Sequence, residues 1–499
     1  MVDSQSPDTT DDTFDVVIIG AGISGINTAY RIQSRLPGIR YAIFEARGAL
    51  GGTWDFFKYP GLRSDSDLFT FGFSWRPWLE TNPIAEASSI LNYLKASAAA
   101  EGIEKQIQFN TRVQSANWST KRQIWNLTIL SDATIRKVHA KFLVLGTGYY
   151  AYNKPLEAKF RNLDTFAGRV VHPQFWPNDV DFTGKHVVCV GSGATAITLV
   201  PVLAQQEASV TMLQRSPSYV VSLPNPRSAS LLQRYLPERL SYTLNRLYFM
   251  VMPILFYYFC RLFPRISRTM IRDNAAKQLP KDYPVDPHFT PRYSPFDQRV
   301  CFAPDGDFYA AIRRGRAKVV TDTIDQIVED GILLQGGDKI PADIIVTATG
   351  FKLQLGGGMN LTVDGESFRF ADKFTWHHAM LQDLPNTVLI MGYTMASWTL
   401  GADATAFLLC RLLKGMRRHG LTSIVPRILD DNAPEARPLM DLTSTYVSAA
   451  TKDLPKTGDS GPWKRRMNYF TDYLTLNYGN VSKNLEMWQG DRLVTNIKL

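Results

Sequence analysis

The stretch D-V-V-I-I-G-A-G-I-S-G, from Asp15 to Gly25, decides the fold. Its apolar, β-branched first half predicts a buried parallel strand. Gly20 permits a tight turn, Gly22 lets a pyrophosphate approach the backbone, and Gly25 lets a helix pack close to the strand. A helical pattern follows over Ile26 to Leu36, and phosphates would sit on the free N–H groups of its N-terminus. The stretch therefore predicts a Rossmann-like dinucleotide-binding unit.

The first unit continues into a second strand and an acidic residue. Tyr41 to Phe44 predicts a buried strand, and Glu45 follows at the distance where an acid bonds a ribose hydroxyl. The glycine pattern alone would be a weak signal. Strand, loop, helix, strand and acid in this order make a strong one.

Two glycine-containing stretches come next. G-G-T-W, from Gly51 to Trp54, and Y-P-G-L-R-S-D, from Tyr59 to Asp65, predict turns that bring the backbone close to a flat or bulky group. A flavin edge would suit them. Asp65 has two interpretations, as the N-cap of a helix from Leu68 onward or as a functional acid.

A second copy of the unit lies further along the chain. His186 to Val190 predicts its strand, G-S-G-A-T-A (Gly191 to Ala196) its loop, Ile197 to Ala204 its helix and Val210 to Leu213 its second strand. This internal duplication implies two dinucleotides.

The two copies differ at the end of the second strand. Where the first has Glu45, the second has Gln214, Arg215 and Ser216. A carboxylate would repel a 2′-phosphate, whereas a guanidinium attracts it by charge-assisted, bidentate contact. We therefore predict FAD in the first copy and NADPH in the second. The alternative for Arg215 is an ordinary surface arginine.

Other segments complete the two units. Helices are predicted over Ile90 to Glu101 and from near Thr399, where the helix N-terminus would stabilise negative charge on a flavin ring. Two strands are predicted to form a small sheet, Phe109 to Trp118 and Ile124 to Leu130. Further strands are predicted at Phe142 to Thr147, Lys318 to Thr321, Ile324 to Val328, Asp343 to Gly350 and Val388 to Met391.

The predicted fold class is α/β, with two Rossmann-like dinucleotide-binding domains, for FAD and NADPH, and a helical insertion. We expect residues 14–150 and 351–499 to form the FAD domain and residues 151–223 and 292–350 the NADPH domain. Residues 224–291 would be the insertion in the NADPH domain, and residues 1–13 a disordered tail without the apolar core of a signal peptide.

Composition narrows the function class. A chain of 499 residues should form two or three domains. Its net charge of +9 is spread along the chain without a recognition module, which favours an enzyme with anionic cofactors over a nucleic-acid-binding protein. Scattered cysteines without C-x-x-C argue against a disulfide framework, a zinc site or a dithiol centre and fit a cytoplasmic protein, and seven scattered histidines suggest no metal site. The cysteines are Cys189, Cys260, Cys301 and Cys410.

One apolar segment has the composition of a membrane helix. Leu247 to Cys260 is uncharged, but it is shorter than the ~18–20 residues of a spanning helix, and Pro253 is expected to interrupt it. Arg261, Arg265, Arg268 and Arg272 follow at helical spacing. A buried helix with a solvated basic continuation is favoured. Weak association of residues 247–272 with a membrane surface is the alternative.

Between the two nucleotide loops lies F-A-G-R-V-V-H-P-Q-F-W-P. It resembles the fingerprint F-x-G-x-x-x-H-x-x-x-W-P of class B flavoprotein monooxygenases, whose W-P ending marks the Baeyer–Villiger branch. T-W-D, Y-P-G-L-R-S-D-S-D, M-L-Q-R-S-P, P-F-D-Q-R and A-S-W-T-L further resemble the ethionamide-activating subgroup. The fingerprint residues are Phe166, Gly168, His172, Trp176 and Pro177.

The resemblance assigns roles to individual residues. Arg299 would be the active-site arginine and Asp65 the acid that positions it. The residues implied to line FAD are Gly20, Gly22, Ser24, Gly25, Glu45, Gly52, Thr53, Trp54, Asp55, Phe56, Asp65 and Val113. Those implied to contact NADP are Arg63, Ser64, Gly191, Ser192, Gly193, Ala194, Thr195, Ala196, Arg215 and Ser216.

The resemblance also implies a reaction. NADPH would reduce FAD, and O₂ would then give a flavin C4a-peroxide that inserts one oxygen next to the carbonyl of a small apolar ketone, and that also oxidises sulfides. Arg299, always protonated, would hold the anions of this reaction. A structural salt bridge is the other interpretation of Arg299. A heteroatom oxygenase that uses the protonated hydroperoxide is the alternative function.

The fingerprint itself is expected to act conformationally. Gly168 would be a flexible point and Trp176 with Pro177 a stiff one, so that the NADPH unit moves between hydride transfer and oxygenation. His172 is interpreted equally well as a satisfied structural histidine, so no acid or base role is assigned to it.

Overall fold

The computed structural model describes residues 12–226, 228, 230–428, 433–466, 468–495 and 497–499. Its helices are α1 (Ile23–Arg35), α2 (Thr53–Phe56), α3 (Leu68–Phe71), α4 (Ala87–Ala100), α5 (Ala194–Gln205), α6 (Leu231–Tyr235), α7 (Glu238–Leu262), α8 (Pro264–Gln278), α9 (Asp307–Arg313), α10 (Trp398–His419), α11 (Thr445–Ala450) and α12 (Tyr469–Tyr478). Its strands are β1 (Thr13–Ile19), β2 (Tyr41–Phe44), β3 (Ile107–Gln108), β4 (Thr111–Ser119), β5 (Ile124–Ser131), β6 (Thr134–Leu145), β7 (Arg169–Val171), β8 (His186–Val190), β9 (Ser209–Gln214), β10 (Val220–Leu223), β11 (Cys301–Pro304), β12 (Ala317–Thr321), β13 (Ile324–Val328), β14 (Gly331–Leu334), β15 (Lys339–Pro341), β16 (Ile344–Thr347), β17 (Asn360–Val363), β18 (Glu366–Ser367), β19 (Thr375–Trp376), β20 (Met380–Leu381), β21 (Thr387–Leu389), β22 (Ser423–Pro426), β23 (Arg437–Pro438), β24 (Lys456–Thr457), β25 (Leu485–Gln489) and β26 (Arg492–Val494).

The first large sheet contains nine strands in the order β18-β17-β4-β5-β6-β1-β2-β3, with β21 beside β6. Its strands β6, β1, β2 and β3 run parallel. Val16, Val17 and Ile18 of β1 are fully buried because both faces of the sheet are covered. Helices α1, α4 and α10 contribute to the core on one face. The predicted fold class and the predicted strands of the first unit are confirmed.

The expected small sheet is not separate. Strand β6 pairs with β5 through its first half, up to Ala140, and with β1 through its second half, from His139 onward. The antiparallel pair β4–β5 is thereby continuous with the parallel sheet. The prediction recognised only Phe142–Thr147 because the charged first half of β6 is exposed and lacks an apolar run.

The second large sheet has five parallel strands in the order β12-β9-β8-β16-β7. Helix α5 follows β8, and α5 and α9 contribute to the core beside it. The predicted strands at His186–Val190, Val210–Leu213 and within Asp343–Gly350 are confirmed. The duplication seen in the sequence is therefore a duplication of structure.

The chain passes between the two sheets twice, and the two crossings lie side by side. Tyr150 and Leu353 form an antiparallel bridge. The amide of Ala151 donates to the carbonyl of Lys352, and the amide of Gln354 donates to that of Tyr149, both over about 3 Å (2.9 and 3.0 Å). Two backbone segments therefore connect the halves as one hydrogen-bonded pair.

Helices α6, α7 and α8 lie between β10 and β11, which pair in parallel. Pro253 does not interrupt the apolar segment, because a proline removes a single helical hydrogen bond and the 25-residue helix α7 continues on both sides of it. The expected burial is also wrong. Among the described side chains of α7 only Ser241, Tyr242 and Cys260 are buried, since its outer side faces solvent.

Among the described residues, no single helix is long and apolar enough to cross a membrane. Helices α7 and α8 reach the required length and apolar character only when taken together, and a bend of 115° separates them.

The expected N-terminal tail falls largely outside the described residues, which begin at residue 12. Its last residue, Thr13, is not part of a tail, because it opens β1 and pairs with His139 of β6.

The first glycine loop allows an unusually close backbone contact. A Cβ atom added to Gly25 would lie 1.9 Å from the carbonyl oxygen of Gly20, which no relaxation of a side chain could relieve. Gly20 itself has a φ of +104° and lies against Gly146. The junction of β1 and α1 therefore requires glycine at both positions.

We predict that Gly25→Ala lowers the free energy of unfolding by ~1–3 kcal/mol through this overpacking. Urea unfolding followed by circular dichroism measures it. The matched control is Gly193→Ala in the second loop, where an added Cβ meets nothing within 4 Å and φ is −82°; it should change stability by less than ~0.5 kcal/mol. Equal values for the two variants would contradict the prediction.

Candidate active site

A cavity of about 610 Å³ is lined by residues of both halves of the molecule. Gly20, Glu45 and Val113 come from the first half, and Thr195 and Arg299 from the second. The two crossing segments described above also contribute to its wall. A cavity at this junction can bring two bound groups together.

The first glycine loop opens onto this cavity. Gly22 is the N-cap residue of α1, no side chain caps the helix, and its first turn contains no acid. Gly22 and Ser24 line the cavity. Uncapped N–H groups at a helix N-terminus favour a phosphate. Ser24 also accepts a hydrogen bond from Trp398 at the start of α10, over 2.8 Å, so two helix N-termini meet here.

Glu45 lies at the end of β2 and is held by the backbone. Its Oε2 accepts from the amide of Ala21 over 2.8 Å and its Oε1 from the amide of Arg47 over 3.0 Å. Burial raises the pKa of Glu45, while these two hydrogen bonds oppose the rise. The carboxylate is therefore fixed at the cavity wall, which fits the predicted ribose contact.

Asp65 and Arg299, 234 residues apart in the chain, form an ion pair in the cavity. Their side chains are 39% and 40% exposed. The Asp65 carboxylate raises the pKa of Arg299 above its already high value, against the opposing effect of burial. The alternative interpretation of Asp65 as a helix cap is wrong, because Asp67 caps α3 by accepting from the amide of Thr70 over 2.7 Å.

An aromatic wall surrounds this ion pair. Phe56 stacks on Tyr152 at 4.1 Å, Phe57 contacts Phe351 at 4.8 Å, and Tyr149 stacks on Trp398 at 5.0 Å. All six line the cavity. Of these rings the sequence analysis assigned a role to Phe56 alone, and Trp398 occurred there only within the motif A-S-W-T-L. Three tyrosines in the stretch Y-Y-A-Y, which directly follows G-T-G, were the available signal.

Two phenols lie close to Arg299. Burial raises the pKa of Tyr150 well above its usual value and also raises that of Tyr446. The Tyr150 hydroxyl lies 3.1 Å from that of Tyr149. Both phenols therefore remain neutral around pH 7, so Arg299 has Asp65 as its anionic partner.

The second glycine loop contributes Ala194 and Thr195 to the cavity, but Gly191, Ser192, Gly193 and Ala196 do not line it. The Ser192 hydroxyl instead lies 2.9 Å from that of Ser218. The cavity thus reaches the N-terminal part of α5, where Thr198 lines it as well.

Arg215 and Ser216 follow β9 and are exposed. A guanidinium N–H of Arg215 donates to the hydroxyl of Thr445 over 3.2 Å. Gln214 is buried and donates to the carbonyl of His288 over 2.8 Å. At the end of β9 the guanidinium of Arg215 therefore faces solvent, and it does not line the cavity.

Arg63 and Ser64, which the resemblance assigned to NADP, line the cavity. Arg63 forms an ion pair with Asp307 at the start of α9. This is a second ion pair that joins the two halves beside the one between Asp65 and Arg299.

The fingerprint lies behind the cavity wall. Its β7 pairs with β16, and none of its five predicted residues lines the cavity. Gln174, within it, donates to the carbonyls of Ala151 and Tyr152 over 2.7 and 3.2 Å. The fingerprint is thus connected to the cavity wall through Gln174, which stands at one of the variable positions (x) of the motif.

The fingerprint residues pack tightly. A Cβ on Gly168 would lie 2.3 Å from the carbonyl of Asp343 and 2.5 Å from the Phe166 ring, so Gly168 serves close packing in this structure and its expected flexibility has no support here. Trp176, which precedes Pro177, stacks on Phe182 at 5.4 Å.

His172 has a structural environment. Its Nδ1 accepts from the amide of Gln174 over 3.1 Å, and burial lowers its pKa. The ring lies 6.2 Å from that of Phe351, which separates it from the cavity. Its Nε2 is buried without a hydrogen-bond partner among the described residues, so only one of the two ring nitrogens is satisfied and the expected satisfied histidine is not found.

The remaining predicted residues divide into two groups. Gly52, Thr53, Trp54 and Phe56 line the cavity, whereas Gly25 packs against Gly20 and Asp55 is ion-paired with Arg47. Arg466, which the sequence analysis missed, is buried at the cavity wall and donates to the carbonyls of His378 and Met391.

Known proteins were compared with this chain. The model of the family "Flavin-binding monooxygenase-like" matches residues 14–228. The FAD-containing monooxygenase EthA of Mycolicibacterium smegmatis is 44% identical over 473 residues, 94% of this chain and 96% of its own length. The putative FAD-containing monooxygenase MymA of Mycobacterium tuberculosis is 41% identical over 92% of this chain and 94% of its own length.

Solved structures share the fold. A steroid monooxygenase bound to NADP superposes with a TM-score of 0.71 and 22% identity, covering 96% of this chain and 100% of its own. A complex of OTEMO with FAD and NADP superposes with a TM-score of 0.73 and 20% identity, over 95% and 99%. With the sequence matches, the similarity spans nearly the whole chain, and the chain therefore belongs to the family of flavin-binding, FAD-containing monooxygenases that includes EthA.

Proposed function

We propose that the protein is an NADPH- and O₂-dependent Baeyer–Villiger monooxygenase that also oxidises sulfides. A ketone, O₂, NADPH and a proton would give an ester or lactone, water and NADP⁺. The observation that carries this proposal is the Arg299 guanidinium, held by Asp65 inside a cavity with aromatic walls.

The proposed FAD site is the first glycine loop together with Glu45 and the start of α2. Uncapped N–H groups of α1 would hold the pyrophosphate, and the fixed Glu45 carboxylate the ribose. Gly22 and Gly52 approach so closely that a Cβ on Gly52 would lie 3.1 Å from Gly22. These residues fit FAD, which when bound and reduced would supply the activation of O₂.

The proposed NADPH site lies on the second glycine loop. Thr195 at the start of α5 faces the cavity, and Arg215 beyond β9 is exposed and has no acidic partner among the described ion pairs. If the 2′-phosphate of NADPH binds at Arg215, the nicotinamide at the other end of the coenzyme would reach the cavity by passing the N-terminus of α5. We accordingly assign residues 151–223 and 292–350 to an NADPH domain, residues 14–150 and 351–499 to an FAD domain, and residues 224–291 to an insertion.

Arg299 would stabilise negative charge on oxygen. When the carbonyl carbon of a ketone is attacked, charge develops on the ketone oxygen, and a fixed cation in a water-poor site stabilises it. The guanidinium cannot give up its proton at any physiological pH. This permanent charge favours an anionic oxygen nucleophile, as ketone oxidation requires, over the protonated form that oxidises sulfur.

Asp65 would orient the guanidinium and moderate its charge. Both side chains line the cavity, and about two-fifths of each is exposed. Burying a guanidinium without a partner would be costly, so Asp65 also keeps Arg299 in place before a substrate arrives. The aromatic rings around the pair, Phe57 and Phe351 among them, would exclude water and select an apolar substrate.

We predict that Arg299→Ala lowers ester formation from a ketone roughly 10²- to 10³-fold, the usual cost of removing one group that stabilises an oxyanion. Oxidation of NADPH should persist, because the hydride donor contacts other residues. Gas chromatography of the product and the absorbance of NADPH measure the two outcomes.

The matched control is Arg292→Ala, an exposed arginine just before the same loop, which should retain both activities. Full ester formation by the Arg299 variant would contradict the proposed role. Loss of NADPH oxidation together with ester formation would contradict it as well.

We predict that Arg215→Ala raises the KM for NADPH roughly 10- to 100-fold, because a charge-assisted hydrogen bond to phosphate contributes ~1.5–3 kcal/mol. The KM for NADH should stay the same, since NADH lacks the 2′-phosphate. Steady-state kinetics with both coenzymes measure the ratio. Arg314→Ala, at an exposed position after α9, is the control, and an unchanged NADPH preference of the Arg215 variant would refute the assignment.

A further inference from the structure

The insertion exposes an apolar stripe, which we call the α7–α8 face. It contains eleven of the large hydrophobic side chains that are exposed in the described part of the chain, among them Leu255 at 55% and Leu262 at 70% exposure. Isolated exposed apolar residues are ordinary, but a contiguous set marks an interaction site. The residues of the face are Leu240, Leu244, Leu247, Tyr248, Met252, Leu255, Tyr258, Leu262, Phe263, Ile266 and Met270.

The residues of the α7–α8 face have the spacing of one side of a helix, and that side faces outward. Apart from the adjacent pairs Leu247–Tyr248 and Leu262–Phe263, its members recur every three or four residues, so they form one side of α7 that continues into α8. The inner side already has partners, since Phe249 stacks on Phe69 at 5.2 Å and Arg246 donates to the carbonyl of Phe69 over 2.6 Å. The helix is thus anchored through its inner side, while the described part of the chain leaves the α7–α8 face uncovered.

The charged residues within the sequence segment that forms the face have one sign, although acids from outside it pair with Arg261 and Arg272. Six arginines and no acid lie between Glu238 and Asp273. Some are held by the protein itself, as Arg261 is by Asp297 over 2.7 Å, whereas Arg265 is exposed next to Ile266 of the face. An apolar stripe bordered by arginines and tyrosines matches the interface of an anionic bilayer, where apolar side chains enter the acyl region and cations meet headgroups.

We propose that the α7–α8 face binds the surface of an anionic lipid membrane, with the two helices lying in the interface. Leu262 and Phe263, at the 115° corner between the two helices, are at least half exposed and would enter the acyl region with the rest of the face. A second copy of this chain fits the face less well. In a two-fold dimer the face would meet itself and bring two sets of arginines together without an acid between them.

The proposed membrane face is in contact with the loop that carries Arg299. Phe296 of that loop packs against Phe256 and Tyr257 of α7, at 5.8 and 5.4 Å between ring centroids. Asp297 of the same loop is the partner of Arg261. The cavity therefore lies one loop away from the membrane-facing helices, a suitable position for an enzyme whose substrates dissolve in lipid.

Flotation of the full-length, FAD-loaded protein with vesicles tests the proposal. Vesicles of phosphatidylcholine with phosphatidylglycerol should carry the protein to the top of a gradient, and vesicles of phosphatidylcholine alone should carry much less. The combined variant Leu255→Glu, Tyr258→Glu and Leu262→Glu should lose at least tenfold in bound fraction. Arg265→Glu should lose roughly 30-fold, as expected when one cation near an anionic surface is replaced by an anion.

Two matched controls separate the face from general surface effects. Ile135→Glu removes a side chain that is 66% exposed on β6, and Lys121→Glu reverses an exposed charge in the β4–β5 turn. Both should bind vesicles like the wild type. Flavin content and melting temperature confirm that each variant is folded.

Three outcomes would overturn the proposal. They are absence of flotation by the wild type, equal loss by a control variant, and a wild-type dimer that the triple variant converts to a monomer without any vesicle binding. The test is independent of the substrate, so its result stands whichever compound the enzyme oxidises.

Discussion

The ion pair between Asp65 and Arg299 is the interaction on which the arrangement of the cavity depends. Asp65 belongs to the segment after the first dinucleotide unit, and Arg299 to the loop before β11 of the second. The pair of Arg63 with Asp307 spans the same junction. Because the Asp65–Arg299 pair is partly open to solvent, its contribution to stability is modest. Its importance lies in fixing a permanent cation inside the cavity.

The second constraint is the connection between the two halves, which consists of two chain segments that are hydrogen-bonded to each other. The crossings at Tyr150 and Leu353 are hydrogen-bonded to each other, and Gln174 of the fingerprint donates to the carbonyls of the first crossing at Ala151 and Tyr152. A movement of the second half would therefore be transmitted to the aromatic wall through backbone contacts. This gives the fingerprint a mechanical connection to the cavity, although its own residues do not line it.

Local rules predicted most of the fold. The glycine loops, their strands and the place of Glu45 follow from steric and hydrogen-bonding requirements that act within a few tens of residues. The partnership of Asp65 with Arg299 joins residues far apart in the chain, and it was expected only through resemblance to a family. The aromatic wall was missed for the same reason, since Phe57 and Phe351 meet only in the folded protein.

Burial was the least predictable property. The run from Leu247 to Cys260 was expected to be buried because apolar helices usually are, but no described part of the chain covers the side of α7 that faces outward. Sequence patterns show which residues share a face of a helix. They do not show whether another element, a lipid or water covers that face, because this depends on the position of every other element.

The central claim is that the fixed cation directs the enzyme toward ketones, and a competition experiment tests it most directly. The enzyme receives NADPH, isotopically labelled O₂, and equal amounts of a linear ketone, an aryl ketone and a methyl sulfide, and the products are identified by mass spectrometry. The account predicts an ester that carries one labelled oxygen, with sulfoxide beside it. Sulfoxide alone, with no ester from either ketone, would contradict the account and identify the protein as a heteroatom oxygenase.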